Sequence, residues 1–361
     1  MSNHKFPYKW YLKDGYPANG IEPNGLNVFG TFICGGGSTM GYKLAGFEHL
    51  GGIEIDPPIA DVYKTNHNPK YLFIEDIREF AKRMDFPEDL YNLDILDGSP
   101  PCSSFSMAGN REKDWGKTKV FREGQAEQRL DDLFFDYIRL AKKLQPKVVI
   151  AENVKGLIQG NAKAYVHRIK KEFEAAGYKV QLFLLNAASM GVPQKRERVF
   201  FICQRNDLNF KPLKLSFDEA PINYGQLRLS GVNDMTFTEY DLDMWNKRIE
   251  GDRDYGYILK RERGKESNWN SKFIYDNEVC QTITSTSGSK LISSNEAKHL
   301  SKDELKMCGS YPLDYNFKKI EPKYLIGMSV PPVMTAQIAT EIYNQWFKKT
   351  DVKQTQDGIS T

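Results

Sequence analysis

Between Leu26 and Arg205, short apolar runs alternate with stretches whose apolar residues recur at helical spacing. The apolar runs predict strands at Leu26–Ile33, Gly52–Ile55, Tyr71–Phe73, Leu93–Leu96, Lys147–Ala151, Lys179–Leu185 and Arg198–Cys203. Helical spacing falls between them, at Thr39–Ala45, Ile59–Thr65, Leu133–Leu144 and Val166–Ala176. Strands separated by helices imply crossover units, so the pattern predicts an α/β fold with a doubly wound, mainly parallel sheet. The first 25 residues, rich in Tyr, Gly and Pro, read as an irregular lead-in. From 206 to 297 clean helix–strand alternation stops and Gly, Asn and Ser accumulate. Beyond Leu300, Val333, Met334, Ile338, Ile342 and Trp346 mark an amphipathic helix over Val333–Phe347. The expected organisation is a large domain over 1–205, a smaller irregular domain over 206–297, a return to the first over 298–350, and a tail at 351–361.

Composition narrows the function classes only a little. A chain of 361 residues, 40% hydrophobic and 27% charged, has the balance of a soluble globular protein and is long enough to bury a sizeable core. No run approaches the roughly 18 apolar residues of a membrane span, and the first residues carry no signal-peptide core. The expectation is a cytoplasmic protein with no membrane partner. Fifty basic against 47 acidic residues leave a net charge of +3, too mild to name an anionic partner. Cys34, Cys102, Cys203, Cys280 and Cys308 are scattered with no CxxC pair. That argues against a disulfide framework and a zinc ribbon, and no metal is expected.

Four constellations carry candidate chemistry, each at the carboxyl end or the start of a predicted strand. Phe32-Ile-Cys-Gly-Gly-Gly-Ser38 follows the first strand, where glycines let backbone approach a ligand. Eighteen residues past Gly36 stands Glu54, placed to accept the hydroxyls of a ribose. The third glycine of the dinucleotide fingerprint is missing, with Met40 in its place, so both a nicotinamide cofactor and S-adenosylmethionine stay open. A tight turn beside a solvated carboxylate is the plainer alternative. Asp97-Gly-Ser-Pro-Pro-Cys102 presents a thiol from a loop that two prolines stiffen, a candidate nucleophile. Glu152, in Glu-Asn-Val, ends another strand and faces the expected ligand crevice. Gln194-Lys-Arg-Glu-Arg198 opens the last strand, where paired arginines can clamp phosphate or a carbonyl oxygen.

The order of these motifs, closed by Gly-Met-Ser-Val-Pro-Pro at 327–332, resembles the DNA (cytosine-5)-methyltransferase family of restriction–modification systems from Leu26 to Phe347. The resemblance implies a Rossmann-like domain that binds S-adenosylmethionine, and a target-recognition domain over 206–297. It assigns Phe32, Cys34, Gly36, Gly37, Glu54, Ile55, Asp76, Ile77, Pro100, Ser329 and Val330 to the cofactor. Glu54 would hold the ribose, Ile55 would pack on the adenine, and Asp76 would bond its amino group. Cys102 matches the nucleophile that adds to cytosine C6, with Pro101 shaping its loop. Glu152 matches the group at cytosine N3, and Arg196 and Arg198 match the clamp around base and nucleophile. Lys298-His-Leu-Ser-x-x-Glu304 resembles the motif that props the recognition domain. The last motif would place its helix beside the first. Four positions depart from the family pattern: Cys34 for glycine, Met328 for asparagine, Lys298 for arginine and Ser103 for glutamine.

The implied substrate is a cytosine flipped out of double-stranded DNA. Ser103, Ser104 and Arg111 lie in a long glycine-bearing basic loop, Ser103–Gln128, suited to a lid over the base. Gln194, Arg261, Arg263, Thr282 and Thr284 are the other residues expected at the DNA. A restriction endonuclease acting on the same site is the implied partner, with a solitary methylase as the alternative, and a monomer is the family expectation. The tRNA-methylating branch of the same family is the principal alternative, since it shares Pro-Pro-Cys. A nicotinamide dehydrogenase leaves Cys102 idle, and a non-enzymatic DNA-binding module leaves every catalytic group idle.

Overall fold

The computed structural model describes residues 4–16, 21–101, 133–159, 162–264, 271–286 and 288–348, with the backbone of 118–119 and 128–129. The first half alternates as predicted: β1 (Asn27–Thr31), α1 (Gly37–Leu44), β2 (Glu48–Glu54), α2 (Pro57–His67), β3 (Tyr71–Ile74), α3 (Ile77–Phe80) and β4 (Ile95–Gly98). Two residue pairs, β5 (Thr118–Lys119) and β6 (Gln128–Arg129), meet antiparallel. Then follow α4 (Leu133–Leu144), β7 (Val148–Val154), α5 (Lys163–Ala175), β8 (Tyr178–Asn186) and β9 (Glu197–Arg205).

Seven of these strands form one sheet in the order β3-β2-β1-β4-β7-β9-β8. All seven predicted strands are in it. Every neighbouring pair is parallel except the two that involve β9. The link from β8 to β9 contains only a short 3-10 turn, Ala187–Met190, too little chain for a parallel crossover, so the strand must reverse. Pleating divides the sheet's apolar residues between two layers. Val28, Ile95 and Ile150 join one core with Met40 and Ile338, whereas Phe29, Leu96 and Val149 join the other with Phe134 and Phe173.

The closing segment brings α8 (Lys302–Cys308), α9 (Pro322–Met328) and α10 (Pro332–Ile342), the last continued by a wider turn over Tyr343–Phe347. Helix α10 lies against α1 so closely that a Cβ on Gly41 would fall 2.4 Å from both the Pro332 carbonyl oxygen and Thr335 Cβ. The lead-in is irregular yet packed: Phe6 and Trp10 are buried, and Trp10 Nε1 donates to the Ser310 carbonyl at 3.1 Å.

Residues 206–297 are more regular than their composition suggests. They contain α6 (Glu239–Lys247), α7 (Tyr255–Arg263) and the parallel pair β10 (Lys272–Ile274) and β11 (Leu291–Ser293). Thr238 and Asp241 cap α6 reciprocally, and Asp254 caps α7. Met244, Tyr255, Ile258, Leu259, Phe273 and Ile292 make a small separate core. Packing does not change at 206, however: Leu213, Ile222, Tyr224 and Leu227 belong to the main core. Lys298 and Glu304 form a buried ion pair at 3.0 Å, and Lys298 Nζ also donates to the carbonyls of Leu229 and Val232.

Candidate active site

The strand order reverses between β1 and β4, so the carboxyl ends of β1, β2, β4 and β7 border a crevice. The loop after β1 turns sharply: Phe32, Cys34 and Gly36 have φ of 54°, 47° and 77°. Left-handed backbone suits glycine and strains a side chain, and Cys34 stands at the position where the resemblance leads one to expect glycine. A Cβ on Gly36 would strike the His67 ring at 2.2 Å, and one on Gly37 the Val330 carbonyl oxygen at 2.2 Å. The Gly35 carbonyl accepts the Tyr315 hydroxyl and lies 3.3 Å from His67 Nε2. Below the loop, the Cys34 thiol is pushed up to about 12, by burial first and then by Glu54, which makes it an inert thiol.

Glu54 ends β2 inside this crevice. Its carboxylate accepts the backbone N–H groups of Cys34, Ile55 and Asp56 at 3.0, 2.9 and 2.9 Å. Burial raises its pKa to about 7 against the pull of those amides. Phe32, Ile55 and Ile77 supply apolar walls to a cavity of about 830 Å³ with open solvent at its mouth. Asp76 also borders it, but its carboxylate caps α3 through the Arg78 N–H at 2.8 Å and grips the Arg78 guanidinium. Ser329 and Val330 line a smaller adjoining cavity, where the Ser329 hydroxyl accepts from Tyr311 at 2.7 Å. Met328 borders both and is 40% exposed.

On the other side of the switch point, Glu152 of β7 and Arg198 of β9 form an ion pair at 2.9 Å. Antiparallel pairing sets Arg198 opposite Val154, two residues along from Glu152, so both side chains emerge on one face. Burial works against the Arg198 charge and Glu152 offsets it. Asn153 binds this strand to the proline loop: its Nδ2 donates to the Pro100 carbonyl at 3.1 Å. Pro101 reaches the crevice wall. Cys102, Ser103, Ser104 and Arg111 lie outside the described residues.

Arg196 serves a different geometry from Arg198. Its guanidinium is fully buried and donates to the carbonyls of Ile283, Gly327 and Ser329 at 3.0, 2.8 and 2.9 Å. Its Nε is buried and meets no hydrogen-bond partner among the described residues. Gln194, expected at the DNA, is buried too: Nε2 donates to the Cys308 carbonyl at 3.2 Å and Oε1 accepts the Ile283 N–H at 3.1 Å. An amide spent in that way reads no base edge. Thr282 donates its hydroxyl to the Lys195 carbonyl, and Arg261 is paired with Asp252 at 2.9 Å. Arg263 is exposed at the end of α7, and Thr284 is half-buried against Gly327.

A sequence model of C-5 cytosine-specific DNA methylases matches residues 26–344. The chain belongs to that family. It is 38% identical over 192 residues to the type II methyltransferase M.FnuDI of Fusobacterium nucleatum, covering 53% of this chain and 51% of that one. With the type II methyltransferase M1.HphI of Haemophilus parahaemolyticus it shares 28% over 336 residues, 88% of this chain and 86% of that one. The match to M.FnuDI thus spans about half of that relative's length. Among solved structures, a DNMT2 variant from Spodoptera frugiperda superposes with a TM-score of 0.60 at 18% identity, covering 90% of this chain and all of that one. At that identity the likeness speaks for the fold.

Beyond the crevice runs a wider cleft of about 2080 Å³, open to solvent, walled in part by Leu291, Leu300 and Leu305 of the main core. Thr286, Lys290, Lys319 and Lys323 line it, and Tyr324 and Met328 are shared with the crevice, so the two spaces adjoin. Sequence reasoning missed Asn153 as the tie to the proline loop and Asp97 behind the glycine loop. The signal for Asp97 was present: an acidic residue directly after an apolar strand run.

Proposed function

We propose that this chain is a sequence-specific DNA methyltransferase that moves a methyl group from S-adenosylmethionine to C5 of a flipped-out cytosine. The observation that carries it is the buried Glu152–Arg198 pair beside the Pro100–Pro101 loop that leads into Cys102. The crevice fits the methyl donor on its own chemistry. Glu54 offers carboxylate oxygen to a ribose diol, and Phe32, Ile55 and Ile77 offer faces to a purine. When bound, S-adenosylmethionine supplies an electrophilic methyl group.

The chain's residues then act on the base. The Cys102 thiolate forms a bond to C6 as the C5=C6 π pair moves onto C5, which makes C5 nucleophilic. Glu152 holds a proton at N3, so the ring does not carry the full charge of the addition, and Arg198 faces the developing charge while orienting Glu152. Once C5 carries the methyl group, a water molecule takes the C5 proton, the C5–H pair restores C5=C6, and the Cys102 thiolate departs with the C6–S pair. The wide cleft, with exposed Lys319 on its wall, has room for a DNA backbone. The type II names of its relatives support a restriction–modification setting, with an endonuclease of the same target as partner.

Bisulfite sequencing of genomic DNA from a methylation-free bacterial host expressing the chain tests this. Protected cytosines in one short context, absent with Cys102→Ser, are expected. Soluble protein with no protected cytosine, alongside protected cytosines in tRNA, would move the substrate to RNA.

A further inference from the structure

Asp97 is a buried carboxylate with no cationic side chain paired to it among the described residues, and it opens onto the smaller cavity beside the glycine loop. It sits on β4 between Gly30 of β1 and Ile150 of β7, on the sheet face that Ile95 shares with α1. The Tyr42 hydroxyl donates to its Oδ1 at 3.0 Å, and the Ser38 hydroxyl bonds it as well. Burial lifts its pKa to about 7, and the like charge of Glu152 lifts it further. A carboxylate held in that condition lacks a positive partner.

The cavity's other wall offers the opposite chemistry. Helix α1 starts at Gly37 behind Gly36, a cap with no side chain, so its first amides point outward without a capping acceptor. A carboxylate suits those amides and an ammonium suits Asp97. The cavity, of about 340 Å³ with its open mouth included, shares Phe32, Cys34, Ser99 and Met328 with the crevice that Glu54 serves, so the two adjoin and a ligand reaching from Glu54 to Asp97 would span both.

We infer that Asp97 is a positioning residue that selects the α-ammonium of the amino-acid tail on the methyl donor. This rests on the proposal that S-adenosylmethionine is the donor. In the geometry described, Glu54 fixes the ribose and Asp97 fixes the far end of the ligand, so the sulfonium between them is held at two points.

Calorimetric titration without DNA tests it. Wild type and Asp97→Asn are each titrated with S-adenosylhomocysteine and with its deaminated analogue, the adenosyl thioether of butyric acid. Wild type should bind the deaminated analogue about 10- to 100-fold more weakly than S-adenosylhomocysteine, a gap on the scale of losing one buried charge pair. Asp97→Asn should bind S-adenosylhomocysteine more weakly by a similar factor and the analogue with less than about threefold change. Equal binding of the two ligands by wild type overturns the inference even if the variant does not fold. So does an Asp97→Asn variant that loses both ligands equally, which would make Asp97 a part of the crevice's fold. Failure of wild type to bind S-adenosylhomocysteine removes the methyl-donor proposal itself, a result distinct from either.

Discussion

Arg196 and Arg198 are separated by one residue and divide the work of their motif. Arg198 meets Glu152 near the carboxyl end of β7, whereas Arg196 gathers three carbonyls from two distant segments. Arg198→Lys keeps a charge but loses the planar fork, so kcat should fall at least about 100-fold while thermal stability changes little. Arg196→Met leaves three buried carbonyls without donors and should cost about 3 kcal/mol or more of stability, read from denaturant unfolding. Equal effects in both assays for both variants would contradict the division. Asn153→Ala frees the Pro100 carbonyl and should lower kcat about 10- to 100-fold with the KM for DNA nearly unchanged, because a loosened loop would misplace the proposed nucleophile. The arginine spacing was legible in the sequence. The carbonyls that fix Arg196 were not, since backbone acceptors at 283, 327 and 329 leave no trace in residue type.

The strands were the most legible elements because each is a dense apolar run, and a sheet buried on both faces demands such runs. Helices α6 and α7 were illegible for the converse reason. Each is nine residues long with a narrow apolar stripe, and Asp241, the residue that anchors α6, reads as surface charge although it is fully buried. Only in three dimensions does it meet Lys290, Tyr255 and His299. At this scale the contact of α1 with α10 is testable. Gly41→Ala should destabilise the protein by about 1–3 kcal/mol through overpacking, whatever the better helix propensity of alanine. An unchanged or raised unfolding temperature would mean that the two helices can separate freely.

For the whole molecule, buried ionisable groups set how stability follows pH. Glu54 and Asp97 both have pKa values raised by burial to about 7, so the native state holds protons that the unfolded state gives up near pH 4. Their contribution is fully present below pH 4 and is lost as pH rises through 7. His67, lowered by burial to about 3, acts oppositely: its contribution is present above pH 6.5 and is lost on acidification. Because the two trends overlap, the informative quantity is a difference. The unfolding midpoint of Asp97→Asn minus that of wild type should rise between pH 5 and pH 8. A flat difference would mean that Asp97 does not hold a proton in the native state.

The site is assembled from both ends of a long stretch of chain, and this has a consequence for how the protein is made. All seven sheet strands lie before residue 206, so a ribosome delivers the scaffold early. The acceptors for the Arg196 guanidinium at Gly327 and Ser329, and the helix that seats on α1, come more than a hundred residues later. Until then the sheet carries a cation with nowhere to be buried, and the crevice lacks the wall formed by Met328, Ser329 and Val330. Maturation is therefore late and close to all-or-none, with long-range contacts that slow it. A nascent or prematurely terminated chain therefore has its strands but lacks the wall that closes the crevice.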